Sequence, residues 1–477
     1  MLHPKIIQGG MGVGVSDWTL ARAVSKLGQL GVVSGTALDV VFARRLQMGD
    51  PGRHMRRAVE HFPFPAIAER IWEQYYVKGG KSPEQPFRLV PFFSIQPPQS
   101  LLELSVLANF AEVFLAKAGH DGVVGINFLE KIQLPTLPSI FGAMLAGVDY
   151  VLMGAGIPRA IPKILDELAA GRPVKLRIDV EDSKPDEEFL CSFDPEVFCG
   201  SSGTVPVLKR PNFFAIISSA TLAMTLAKKS SGQVNGFVVE GASAGGHNAP
   251  PRGALQLSES GEPIYGERDI ADLDKIKALG LPFWLAGSYG GPGRLAEALG
   301  VGAAGIQVGT AFAFCEESGI EPALKRRVIE MSRSGTLAVY TDPLASPTGF
   351  PFKVLQLDGS ASDGKVYAER NRICDLGYLR HPYRKPDGGI GYRCPSEPIS
   401  NYVRKGGMAS DATGRKCVCN GLMATIGIGQ ILVDFPPGEN EEAPLLTAGD
   451  DVTGVAQFVK PGCNTYTVAD VIEALLG

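Results

Sequence analysis

Lys5-Ile-Ile-Gln-Gly-Gly-Met11, a helical stretch from about Asp17 to Leu27, Leu30-Gly-Val-Val-Ser-Gly35 and a second helical stretch from about Leu38 to Met48 decide the fold. Each short run is apolar, closes on small residues and leads into apolar residues at helical spacing, which is a βαβα unit. Strands buried on both faces read as unbroken apolar runs, and parallel neighbours need helical crossovers; both features are present. Working outward, further strands are expected at Val90 to Ile95, Val123 to Phe128, Tyr150 to Met153, Phe213 to Ser218, Gly236 to Val239, Phe283 to Ala286 and Gly305 to Val308, mostly alternating with helical patterns. Nine candidates stand close to the eight strands of a TIM-type (β/α)8 barrel, whereas an open doubly wound sheet usually has fewer and carries its glycine fingerprint in the first turn. The barrel is therefore expected, with Val90 to Ile95 surplus.

The barrel should occupy residues 1–335, with insertions at about 51–122 and 172–210. The second insertion carries Asp179, Glu181, Asp182, Asp186, Glu187 and Glu188 and reads as a solvated surface loop or β insertion. From about Thr341 the alternation stops, so 336–477 is expected to be a Gly- and Pro-rich C-terminal appendage with a final helix at Val468 to Leu476. The 46 Lys and Arg nearly balance 50 Asp and Glu in 477 residues, which argues against a nucleic-acid partner held by a broad basic surface. The longest apolar stretch read from the sequence, Phe213 to Ala227, is interrupted by Ser218, Ser219, Thr221 and Thr225, so no membrane partner is expected. The start of the sequence lacks a charged leader with a long apolar core, and a cytoplasmic location is expected.

Ligands of parallel barrels sit at the carboxyl ends of the strands, with phosphate often on the last two loops. Phe283-Trp-Leu-Ala-Gly-Ser-Tyr-Gly-Gly-Pro-Gly293 and Gly305-Ile-Gln-Val-Gly-Thr310 end the last two strands with glycines that let backbone N–H groups approach an anion. Gly9 and Gly10 close the first strand, where missing side chains leave room for a flat ring; a plain close turn is the simpler reading. His247 ends the glycine-rich loop after Phe237-Val-Val-Glu240. An imidazole there can exchange a proton near neutral pH, and Gly245 and Gly246 would let a cofactor pack against the backbone.

Six motifs in register carry a resemblance: Gln8-Gly-Gly-Met11, Leu30-Gly-Val-Val-Ser-Gly35, Gly154-Ala-Gly-Ile-Pro158, Glu240-Gly-Ala-Ser-Ala-Gly-Gly-His247, Ala286-Gly287 with Gly290-Gly291, and Gln307-Val-Gly-Thr310. Over roughly residues 5 to 335 the chain resembles the nitronate monooxygenase family, formerly the 2-nitropropane dioxygenases, whose superfamily includes FMN-dependent enoyl reductases. The resemblance implies FMN as cofactor. Gly9, Gly10 and Met11 would neighbour its ring, Asn127 and Glu240 would contact it in the pocket, and Gly287, Gly290, Gly291, Gly309 and Thr310 would hold its phosphate, with Gln307 close by. His247 matches the family's catalytic histidine. Two departures touch the mouth: Ser243 stands where a second acid is common, and Asn248-Ala-Pro-Pro-Arg-Gly253 replaces an early glycine after the histidine.

The activity so implied is oxidation of an alkyl nitronate with dioxygen. An enoyl reductase of fatty-acid or polyketide synthesis, with NAD(P)H as co-substrate, is the alternative, and a non-catalytic barrel protein docking through its appendage is the alternative of another class. A small-molecule substrate is expected as partner, with a homo-oligomer left open. Cys374, Cys394, Cys417 and Cys419 could hold zinc or an iron–sulfur cluster, but the single Cys-x-Cys lacks paired Cys-x-x-Cys knuckles, and free thiols are the simpler reading.

Overall fold

A computed structural model describes residues 3–200, 205–432 and 441–477. Parts of the second insertion (201–204) and of the appendage (433–440) therefore lie outside the described residues. Eight parallel strands close into a barrel: β1 (Ile6–Gln8), β2 (Leu30–Ser34), β3 (Val124–Leu129), β4 (Tyr150–Gly154), β5 (Asn212–Ile217), β6 (Gly236–Glu240), β7 (Phe283–Ala286) and β8 (Gly305–Val308). Each pairs with its neighbour in sequence, and closure runs through Ile7 opposite Gln307 on β8 and Leu30 on β2. The expected barrel is present, and Val90 to Ile95 forms no strand.

Two apolar layers follow from strands buried on both faces. Ile7, Leu30, Val32, Tyr150, Leu152, Phe214, Val238 and Trp284 fill the interior, while the outward residues join the helical shell. Phe214 lies between Tyr150 and Trp284, with ring centroids 5.0 and 4.7 Å away, and Trp284 Nε1 donates to Pro4 O at 2.8 Å. This aromatic plug occupies the amino-terminal end of the barrel, so the interior is packed there rather than open.

The first crossover shows how the shell is fixed. Asp17 caps the helix Trp18–Lys26 by accepting from the N–H groups of Thr19 and Leu20. Its other oxygen lies 3.1 Å from Arg45 on the helix Leu38–Gln47. Arg45 also pairs with Glu112 on the helix Gln99–Lys117, and Glu112 accepts from Trp18 N–H at 2.9 Å. That 19-residue helix is long and apolar enough to cross a membrane, yet Glu103, Ser105, Asn109 and Glu112 are buried with the rest of it against the helix Thr136–Leu145.

The second insertion contains an antiparallel ribbon, Val174–Arg177 with Leu190–Phe193. The appendage adds the ribbons Val339–Asp342 with Phe352–Leu355 and His381–Arg384 with Ile390–Arg393, short helices, and the final helix Val468–Leu476. It does not stand apart from the barrel. The side chain of Arg44 donates to Ile428 O, Tyr466 donates to Ala311 O, and the 447–451 segment lies against the mouth.

Candidate functional site

The mouth opens at the carboxyl ends of the strands, and its floor is pinned from the end of β1. Gln8, fully buried at the end of β1, accepts from Val32 N–H and donates to Gly9 O and Ser16 Oγ. Ser16 Oγ in turn accepts from Met11 N–H at 3.0 Å. The loop Gly9–Met11 is thereby fixed across the top of β1. A Cβ at Gly10 would sit 2.5 Å from Asn127 Cβ on β3, so only hydrogen fits between them.

One cavity is lined by Gly9, Gly10, Met11, Asn127, Glu240, Gly245, Gly246, His247, Gly287, Gln307, Gly309 and Thr310, so the fold brings together nearly all the residues singled out from the sequence. Gly290 and Gly291 are the exceptions. Gly290 stands behind the wall, where its N–H meets Asp451 Oδ2 at 3.3 Å, and Gly291 lies at the start of the turn into the helix Arg294–Gly300. Gly245 also differs from expectation. A Cβ there would meet Ala448 C at 2.7 Å, so the close approach it permits is by the chain's own 448–449 backbone.

At the β7–β8 side, Gly287 and Ser288 both take positive φ, 94° and 57°, turning the chain sharply off β7. Ser288 Oγ, Gln307 Oε1 and Asp451 Oδ1 are buried with no hydrogen-bond partner among the described residues, and all three residues line the cavity. Buried polar atoms are rarely left unpaired, so these mark a place for a polar ligand. Burial pushes the Asp451 carboxyl above its usual range, against the hydrogen bonds it accepts from Thr310 and Gly290. Glycine-walled space toward β1 and unpaired polar atoms toward β7 and β8 together leave room and hydrogen-bonding partners for a flat, polar ligand.

His247 is held by the appendage. Its backbone bridges to Phe352, Asn248 N–H donates to Pro351 O, and its ring lies edge-on to Phe352 with centroids 4.8 Å apart. Nε2 is 2.7 Å from Ser346 Oγ, which also contacts Thr348 Oγ1 at 2.8 Å. Burial, reinforced by the nearby Lys131 ammonium, lowers the imidazole to about 4, so it is neutral at pH 7 and can accept a proton. Glu240, at the end of β6, moves the other way: burial raises its carboxyl to about 7. A neutral base and an acid titrating near neutrality thus share one wall.

Ser346, Thr447, Gly449 and Asp451 were not legible in advance. Thr447 Oγ1 accepts from Gly246 N–H at 2.7 Å, and Thr310 Oγ1 accepts from Gly449 N–H at 2.9 Å. None carries a local motif; only the return of the chain places them. Cys374, Cys394, Cys417 and Cys419 converge on a second, small cavity. Among the described residues, no three His, Cys, Asp or Glu side chains are grouped to hold a metal ion.

Residues 201–341, spanning β5 to β8 and the His247 loop, match the family described as nitronate monooxygenase. A Mycobacterium tuberculosis protein described as (3aS,4S,5R,7aS)-5-hydroxy-7a-methyl-1-oxo-octahydro-1H-indene-4-carboxyl-CoA dehydrogenase is 26% identical over 254 residues, 49% of this chain and 66% of that protein. A probable nitronate monooxygenase of Bacillus subtilis is 34% identical over 99 residues, 21% of this chain and 27% of that protein. The chain thus spans just under two thirds of the first relative and about a quarter of the second. Among solved structures, FabK from Thermotoga maritima is 15% identical with a TM-score of 0.49, covering 100% of this chain and 92% of its own. Nitroalkane oxidase from Streptomyces ansochromogenes is also 15% identical, with a TM-score of 0.44 and coverage of 100% and 95%. The match over 201–341 bears out the family resemblance across the second half of the barrel.

Proposed function

We infer that this chain, an FMN-dependent oxidoreductase resembling the nitronate monooxygenases, oxidises alkyl nitronates with dioxygen. The observation that carries the reading is His247: a neutral imidazole on the wall of the glycine-lined cavity, fixed by Ser346 and Phe352. Bound FMN would supply the electron transfer. The protein's own residues would do the rest. Gly9, Gly10 and Met11 would seat the ring, Asn127 would contact it, and Gly287, Gly309 and Thr310 would hold the phosphate. His247 would take the proton from the carbon beside a nitro group, or donate a hydrogen bond to the oxygens of a nitronate already ionised. Its hydrogen bond to Ser346 keeps the ring orientation fixed while it does so.

A second reading rests on the cleft beyond His247. Ile157, Ile216, Leu222, Pro250 and Phe350 line a side cavity that also touches Glu240 and His247 and would receive an acyl chain. In that reading NAD(P)H reduces the flavin, and His247 positions the carbonyl of an enoyl substrate. Anaerobic mixing separates the two: bleaching of the flavin by a primary nitronate but not by NADPH supports the monooxygenase, and the reverse supports the reductase. His247→Ala should abolish most turnover while leaving flavin content unchanged; full activity in the variant removes the proposed role.

A further inference from the structure

Behind the flavin cavity lies a second, much smaller one into which four cysteines from separate parts of the appendage converge: Cys374, Cys394, Cys417 and Cys419. Cys419, with Tyr378 and Leu379, lines both cavities and so forms part of the wall between them. We propose that these four cysteines bind an iron–sulfur cluster at the back of the flavin cavity. The assignment goes beyond the flavin reading and does not depend on it.

Donors face the sulfurs: the N–H groups of Gly377, Ser396, Asn420 and Leu379 favour the thiolates of Cys374, Cys394, Cys417 and Cys419 against the burial that pushes each thiol up, while the Cys417 thiol lies 3.9 Å from Ile373 O. A neutral thiol is a weak acceptor, whereas a metal-bound thiolate accepts well and is tuned by such bonds. Asn420, 1% exposed, lines the same cavity with both amide atoms unpartnered among the described residues. Its NH2 group is a donor without an acceptor, which a bridging sulfide would supply.

Charge points the same way. The carboxylates nearby are already paired: Glu397 with Lys405 at 2.6 Å, Glu442 with Arg370 at 2.8 Å and Asp375 with Arg44 at 2.8 Å. Arg380 lines the cavity beside Cys374 and Cys394 but donates to the carbonyls of Gly377 and Phe93, so its charge is uncommitted to any carboxylate. A cluster ligated by four thiolates is an anion and would be balanced there. The spacing favours a cluster over zinc. A single zinc draws its sulfurs to about 2.3 Å from one centre, and no three cysteines here are so grouped; a polynuclear core holds its thiolates farther apart.

The test uses the whole chain, purified anaerobically and then incubated with ferrous iron, sulfide and a reducing thiol. Iron, acid-labile sulfide and zinc are assayed per chain, dithionite-reduced samples are examined by electron paramagnetic resonance, and acid-released FMN is measured separately. The expected result is iron and sulfide in equal amounts, about two to four of each per chain, with a reduced-state resonance. Cys394→Ser and Cys419→Ser should lose both, whereas Cys463→Ser, at an exposed position outside the cavity, should keep them. One zinc per chain without sulfide, iron without sulfide, or neither metal in the unmutated protein would overturn the proposal, whether or not the variants fold. Because FMN is counted independently, a chain with flavin and no cluster fails only this inference, and a chain with cluster and no flavin fails only the functional reading.

Discussion

Replacing Gly10 by alanine tests whether the floor of the flavin cavity is as tightly fitted as its geometry indicates. The new methyl would lie 2.5 Å from Asn127 Cβ, against ordinary contacts of 3.4 Å and more, so about 1 Å of separation has to be created. Asn127 Cβ cannot swing away, because it is bonded directly to the β3 backbone, which is paired on both sides. The Gly9–Met11 loop must then rise into the cavity against the hydrogen bonds made by Gln8 and Ser16. Overpacking of this kind costs roughly 1–3 kcal/mol. Unfolding entropy of about 2.1 cal/mol/K per residue amounts to ~1 kcal/mol/K for a chain of 477 residues, so the melting temperature should fall by only ~1–3 °C. If the same energy is instead charged to ligand binding, the dissociation constant for FMN rises about 5- to 150-fold. Titration of flavin-free protein, followed by quenching of FMN fluorescence, reads this directly. Gly9→Ala supplies the comparison: its methyl would meet Gln307 Cδ at 3.3 Å, a side-chain carbon able to give, so the loss should be smaller. Unchanged FMN affinity in Gly10→Ala, or a larger loss in Gly9→Ala, would refute the reasoning.

Ser346→Ala removes the partner of His247 Nε2 and should cost about 1 kcal/mol, roughly 5-fold in kcat/KM, with flavin content unchanged; steady-state kinetics on reconstituted enzyme decides. Glu240 has its carboxyl raised to about 7, so the folded state binds the extra proton and this group's contribution to stability falls as pH rises from 4.5 to 7. His247, lowered to about 4, contributes the opposite slope between 4 and 6.5, where the unfolded chain binds the proton and stability rises with pH. Thermal melts of flavin-free Glu240→Gln across this range should therefore lose Glu240's share of the falling slope while that of Asp39, raised to about 6, remains; a profile identical to the parent would contradict the assignment. Arg45→Met strands the buried carboxyls of Asp17 and Glu112 opposite one another and should cost roughly 3–5 kcal/mol, measurable by urea unfolding.

The barrel was readable because each strand is a short apolar run between small residues, and because parallel pairing leaves neighbours in sequence as neighbours in space. Val90 to Ile95 shows the limit. Phe87, Val90 and Phe93 are buried beneath a loop, so an apolar run signalled burial without strand pairing. The same locality made His247, Glu240 and the glycines of β1, β7 and β8 visible, since each directly follows its strand. Gly290 follows its strand as well but does not line the cavity, since a glycine there serves a turn as readily as a ligand. Ser346, Thr447 and Asp451 were invisible for a different reason: their roles depend on contacts more than 90 residues away along the chain, and no local pattern encodes those. Gln8 was visible only as the first residue of a motif, and nothing local shows that its amide ties β1, β2 and the first loop together.

The stack of Tyr150, Phe214 and Trp284 has a kinetic consequence. With the lower end of the barrel corked by aromatic rings, no reactant of the proposed flavoenzyme can enter from that end, and electron donor and electron acceptor must both come in at the carboxyl-end face. Where the two exchange places at that face, the first product departs before the second reactant enters, and reciprocal rate plots at several acceptor concentrations run parallel; where the side cavity beyond His247 holds one of them, the plots converge.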